Sequence, residues 1–151
     1  MKLAEAPIER ANLQKSPEVL RSRLRNNAKV QEGGTPSEEI DALLSEMRET
    51  LSRLEYLIVH INKTNELTLM RDGGTIAHTI AKKDVLTKEL SLLSDLLSCG
   101  SELVSRYSRT EIKINATFSI KEMQAEVSEK SKELRLLDTR LQEANWLTDL
   151  L

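Results

Sequence analysis

The stretch IDALLSEMRETLSRLEYLIVHI, residues 40–61, decides the fold class. Ile40, Leu44, Met47, Leu51, Leu54, Ile58 and Ile61 alternate spacings of four and three, which makes them one seam of a helix several turns long. Such a seam leaves apolar surface bare unless another helix lies against it. Leu43 and Leu57 flank it, so the stripe is wider than a two-helix contact requires.

The same pattern extends to both sides. Upstream, about residues 3 to 30 carry Leu3, Ala6, Leu13, Leu20 and Leu24 in a heptad frame, with Pro17 at a core position. Ser16-Pro17-Glu18 reads equally as a kink in one helix or as a cap followed by proline at the first position of a second helix. Gln31 to Ser37, with Gly33-Gly34 and Pro36, is a break, and Thr35-Pro36-Ser37-Glu38 has capping-box spacing. Polar Asn62-Lys63-Thr64-Asn65 is expected to close the second helix.

Downstream, Arg71-Asp72-Gly73-Gly74 predicts a tight hairpin near 67–75, because Asp-Gly suits positions of positive φ. A third helix is expected from about Ile76 to Cys99, with Ile80, Leu86, Leu90, Leu93 and Leu97 inward and Gly100 as its stop. Residues 111–118 alternate Ile112, Ile114, Ala116 and Phe118 with polar neighbours, the signature of a strand with one buried face. Ser119-Ile120-Lys121-Glu122 is a second capping box. It opens a fourth helix with Ile120, Met123, Val127, Leu134, Leu137, Leu141 and Leu151 in frame. Trp146, Leu147, Leu150 and Leu151 form a terminal apolar cluster expected to pack inward. No internal repeat is expected.

The expected architecture is therefore mainly α. It is an antiparallel, coiled-coil-like bundle of long helices in one domain, 1–151, with a small antiparallel β element made of the 67–75 hairpin and the 111–118 strand. Charged residues at 30% against aromatics at 3% suit a core of Leu, Ile and Val. A net charge of −2 gives no global attraction to nucleic acid or anionic membrane. The basic group Arg21, Arg23, Arg25 and Lys29 has no interleaved aromatics for base stacking. One cysteine, Cys99, cannot form an intrachain disulfide and fits a reducing compartment. No run approaches the roughly 20 apolar residues of a membrane span. The expectation is a cytoplasmic protein.

Chemistry-bearing patterns are scarce. His60 and His78 lack the Glu-x-x-His spacing of two-metal bundles, since Leu57 and Thr75 stand three residues before them. Cys99 falls at a helix end whose dipole disfavours a thiolate. There is no Gly-x-Ser-x-Gly turn and no phosphate-binding glycine loop. Glu122, Glu126, Glu129 and Glu133 are interleaved with Lys121, Lys130 and Lys132, as on a solvated face. No catalytic residue, metal or cofactor is expected. A polar group, Asn62, Asn65, Arg106, Tyr107 and Arg109, is the one candidate binding site, between the β element and the helices.

Several segments carry a family resemblance. They are Met1-Lys2-Leu3-Ala4-Glu5-Ala6, Leu20-Arg21-Ser22-Arg23-Leu24, Ile61-Asn62-Lys63-Thr64-Asn65, Arg106-Tyr107-Ser108-Arg109 and Leu137-Asp138-Thr139-Arg140 with Asn145-Trp146. Together they resemble the septicolysin-like family of small bacterial helical proteins of unknown function. Pro7 and Pro17 depart from that family's smoother first helix. The resemblance implies no residue role that carries over, and its label implies a membrane-active, pore-forming alternative. The functional expectation from the residues themselves is a non-catalytic structural or protein-interaction module that forms a homo-oligomer through leucine-rich helix faces.

Overall fold

The computed structural model describes residues 1–102 and 114–151. These contain four helices: α1, Ala6–Asn27; α2, Ile40–Leu67; α3, Ile76–Ser101; and α4, Ile120–Leu147. The chain divides into two compact units, Met1–Thr75 with Ala144–Leu151, and Ile76–Glu143. It is mainly α-helical, and no sheet is present among the described residues.

Within the first unit, α1 runs unbroken through Pro17. The proline removes one helix hydrogen bond, but contacts on both sides of it tie α1 to α2. Arg53 of α2 grips Glu9 before the proline, at 2.7 Å, and Glu46 of α2 accepts from Arg23 after it, at 2.8 Å. Pro7 falls in the first turn, where the missing N–H costs nothing.

The start of α2 corrects the expected capping box. The cap is Glu39, and its side chain makes no capping bond. Glu38 is engaged elsewhere: Arg23 donates to its carboxylate at 2.5 and 3.1 Å, and its own N–H donates to the buried Asn27 Oδ1 at 3.0 Å. The loop between the helices is thus held by α1. At its other end α2 does not stop at Asn62; it continues to Leu67. The polar tetrad lies on the helix, with Thr64 fully buried and its hydroxyl donating back to the His60 carbonyl at 2.7 Å.

The buried stripe of α2 is turned from the predicted seam. Leu43, Leu57, Ile61 and Thr64 are buried, while Leu51 is 45% and Ile58 37% exposed. Two heptads overlap here, sharing Met47, Leu54 and Ile61. Glu46 and Arg53, which reach α1, stand on the same flank as Leu43 and Leu57. Contact with α1 therefore buries that flank and leaves Leu51 and Ile58 on the other.

The β element is also corrected. Leu69 and Thr75 form one isolated antiparallel bridge. Within residues 70–74 Gly73 alone has positive φ, at 85°, so Asp72 and Gly73 do not form the two-residue turn expected. Met70 and Gly74 close a three-residue loop instead, with Met70 N–H donating to the Gly74 carbonyl at 2.7 Å and Gly73 N–H to Met70 at 3.0 Å. Of the predicted strand, residues 114–118 are not extended into one, and 111–113 lie outside the described residues. With no strand among the described residues to pair with, alternation alone does not make a ladder.

In the second unit α3 passes through Gly100 and ends at Ser101. A Cβ at Gly100 would fall against the Phe118 ring, so the glycine permits close approach rather than ending the helix. Leu86 is buried, Leu90, Leu93 and Leu97 are half-buried, and Ile80, expected inward, is 36% exposed. The second capping box works in part, because Ser119 Oγ accepts from the Glu122 N–H at 3.3 Å.

The order of parts occurs twice along the chain. A bridge residue leads into a helix, and a 28-residue helix then leads to a second bridge residue: Lys2, α1, α2, Leu69, and then Thr75, α3, α4, Asp149. Buried positions follow the same frame. Leu3 and Ala6 correspond to Ile76 and Thr79, and Leu57 and Ile61 to Leu137 and Leu141. The Glu9–Arg53 pair corresponds to Lys82–Glu133 with its charges exchanged. Asn65-Glu66-Leu67-Thr68 and Asn145-Trp146-Leu147-Thr148 are the clearest matching letters.

Candidate functional site

Of the five residues proposed as a polar binding site, Asn62 and Asn65 are on α2, exposed and half-buried respectively. Arg106, Tyr107 and Arg109 lie outside the described residues.

The most organised polar arrangement runs along α2 at positions 53, 56, 60 and 64, a helical spacing that aligns side chains on one face. Arg53 donates bidentately to Glu9 at 2.7 and 3.0 Å. Its guanidinium lies 5.2 Å from the Tyr56 ring centre, and Tyr56 stacks on His60 at 3.8 Å. His60 Nδ1 meets the backbone oxygen of Leu151, and the Leu151 N–H donates to Thr64 Oγ1 at 3.0 Å. Residue 151 is thereby seated on α2, and the pairing of Lys2 with Asp149 at 2.9 Å joins the first residues to the last. These groups satisfy one another. The arrangement ties chain segments together.

Surface carboxylates gain from their partners. The guanidinium of Arg53 holds Glu9 below the ordinary glutamate value, and Arg23 does the same for Glu38. Lys83 lowers Asp138 and Lys2 lowers Asp149. A carboxyl depressed on folding contributes stability above its unfolded pKa, which is lost as pH falls through the folded value. Thermal stability is therefore expected to be flat from about pH 7 to 5 and to decline below the ordinary values of 4.5 and 3.8. A melting series at low salt checks this, and an unchanged midpoint down to about pH 3 would contradict it. Each exposed pair is individually weak.

Grooves are shallow. One of about 200 Å³ lies between α1 and α2 beside Val19, Leu20 and Arg23. Another, of about 430 Å³, runs between α3 and α4 over Ala81, Val85 and Leu86, and the Lys82–Glu133 and Lys130–Glu89 pairs border it. Glu89 raises the Lys130 pKa, so that lysine is a fixed cation. No group of three or more His, Cys, Asp or Glu able to hold a metal exists among the described residues.

What the surface does carry is apolar. Leu51, Ile58 and Val59 stand out from α2; Val85, Leu92 and Leu96 from α3; Leu136 from α4. Of the terminal cluster, expected inside, Trp146 is 59%, Leu147 67% and Leu151 50% exposed, and Leu150 is half-buried. The end of α4 gives its backbone, rather than these side chains, to the first residues, with Leu3 and Ala4 N–H groups donating to Thr148 and Asn145 carbonyls at 2.9 and 3.0 Å. Sequence reasoning missed the Arg53-Tyr56-His60-Thr64 row, although its spacing was present in the stretch that decided the fold.

A model for a family of unknown function, DUF6847, matches residues 10–150. The chain belongs to that family. It is also similar to a solved structure titled as a functionally unknown conserved protein from Corynebacterium diphtheriae, with 38% identity and a TM-score of 0.79. That match covers 100% of this chain and 99% of the other. No curated protein matches the chain. The DUF6847 fold is thus shared over full length with a bacterial protein, and neither match assigns a reaction. No described helix of this DUF6847 member is long and apolar enough to cross a membrane.

Proposed function

We infer that this DUF6847 protein is a non-catalytic, cytoplasmic helical module that self-associates through leucine-rich helix faces and acts as a structural or protein-interaction unit. The observation that carries this reading is the large apolar side chains exposed on α3, with Leu92 70% and Val85 65% exposed, and separately on α2, with Leu51 45% and Val59 53% exposed. Exposed apolar helix faces of this kind favour association, and symmetric homo-oligomers are its commonest outcome. The lone Cys99 is consistent with a reducing compartment. The mass in solution tests the reading: a concentration-dependent or stable oligomer is expected, and a monomer at all concentrations overturns it.

A further inference from the structure

We propose that the outer face of α3 is the self-association surface, where two copies of the helix pair antiparallel about a two-fold axis beside Leu92. This inference rests on the self-association reading and specifies its location and geometry.

The face is a second heptad, distinct from the buried one. His78, Val85, Leu92 and Cys99 recur every seven residues along α3, with Leu96 beside them. The inward stripe of Leu86, Leu90, Leu93 and Leu97 lies on the opposite flank. Val85 is 65%, Leu92 70% and Leu96 44% exposed, and Cys99 is exposed too. Its border toward α4 is already occupied, because Lys82 and Glu89 pair with Glu133 and Lys130. On the free border stand Lys88 and Asp95, both exposed.

The placement of those two charges selects the occupant. Lys88 comes four residues before Leu92 and Asp95 three after it. In an antiparallel pair, a two-fold axis brings the same border of each helix together and inverts the order of residues along it. An axis beside Leu92 therefore sets Lys88 of one copy opposite Asp95 of the other, twice. It sets Leu92 against Leu92 at the centre and Val85 against Cys99 at each end. A parallel pair would instead bring the Lys88 and Asp95 border of each copy to the other copy's border of Lys82 and Glu89, which is already paired with α4, and would leave Lys88 and Asp95 without each other. A second copy of this chain thus supplies both the apolar and the charge complement of the face.

Crosslinking reads this register directly. Cys99 of one copy lies about 20 Å along the helix from Cys99 of the other in this arrangement, at 1.5 Å per residue. A short bis-maleimide should therefore leave the wild-type protein uncrosslinked, while Val85→Cys, which brings a thiol opposite the native Cys99, should give a covalent dimer in high yield. Lys88→Glu or Asp95→Lys should each weaken association, and the double reversal should restore it. Circular dichroism of each variant checks that the helices remain. If the wild type is an oligomer but Val85→Cys does not crosslink and Leu92→Asp leaves the mass unchanged, α3 is not the interface and self-association through another face stands. If the wild type is a monomer throughout, both readings fall.

Discussion

Leu57→Ala is expected to lower the unfolding free energy by about 2–5 kcal/mol, the range for emptying a buried leucine site. Leu57 is fully buried at the centre of α2, on the flank that meets α1. Its neighbour in sequence, Ile58, is 37% exposed on the other flank. At low protein concentration Ile58→Ala should cost far less, because its side chain keeps much of its contact with water and leaves no sealed cavity. Urea denaturation of the two variants side by side measures the difference. Equal losses, or a larger loss at Ile58, would mean that the buried seam is the one the heptad of Leu44, Leu51 and Ile58 suggests and that α2 is rotated from its observed position.

Pro17→Ala is expected to stabilise the protein, by up to about 3 kcal/mol, the difference between proline and alanine in a helix interior. The residue sits well inside the 22-residue α1 and deprives the helix of one hydrogen bond. Alanine restores the N–H and removes the ring from the preceding turn. The ion pairs of Glu9 and Arg23 to α2, on either side, hold both halves of α1 in register, so the repaired helix needs no rearrangement to benefit. A higher midpoint in urea is the expected result. A loss of stability would show that the packing of α1 on α2 depends on proline at this position.

The helices were legible because leucine spacing dominates this chain, and the position of a hydrophobic residue on a helix depends only on its number. Which flank is buried was not legible. Two heptads sharing Met47, Leu54 and Ile61 fit α2 equally well, and only the neighbouring α1 chooses between them. Capping motifs show the same dependence on context. Ser119 to Glu122 and Thr35 to Glu38 have the same spacing, yet Ser119 caps α4 while Glu38 is taken by Arg23 and Asn27. Asn62 to Asn65 looked like a helix end because of its polarity, but a polar residue continues a helix when its neighbours at helical spacing are buried, as Ile61 and Thr64 are.

The repeated order of parts escaped notice for a related reason. The two halves share burial pattern and length more than chemistry, as in the exchange of Glu9–Arg53 for Lys82–Glu133. Letters compared one by one do not reveal a position whose requirement is an ion pair of either sign. Of the expected polar site, Asn62 and Asn65 share α2, and Arg106, Tyr107 and Arg109 are outside the described residues. The His60 contact with Leu151 joins residues 91 positions apart and no local pattern predicts it.

Light scattering coupled to size-exclusion chromatography, from low micromolar to millimolar protein, tests most directly whether the outward leucine faces are an interface. The account predicts a mass of at least twice the 17.1 kDa of one chain, lost on Leu92→Asp while helicity is retained. A mass of 17.1 kDa across the whole range would contradict it.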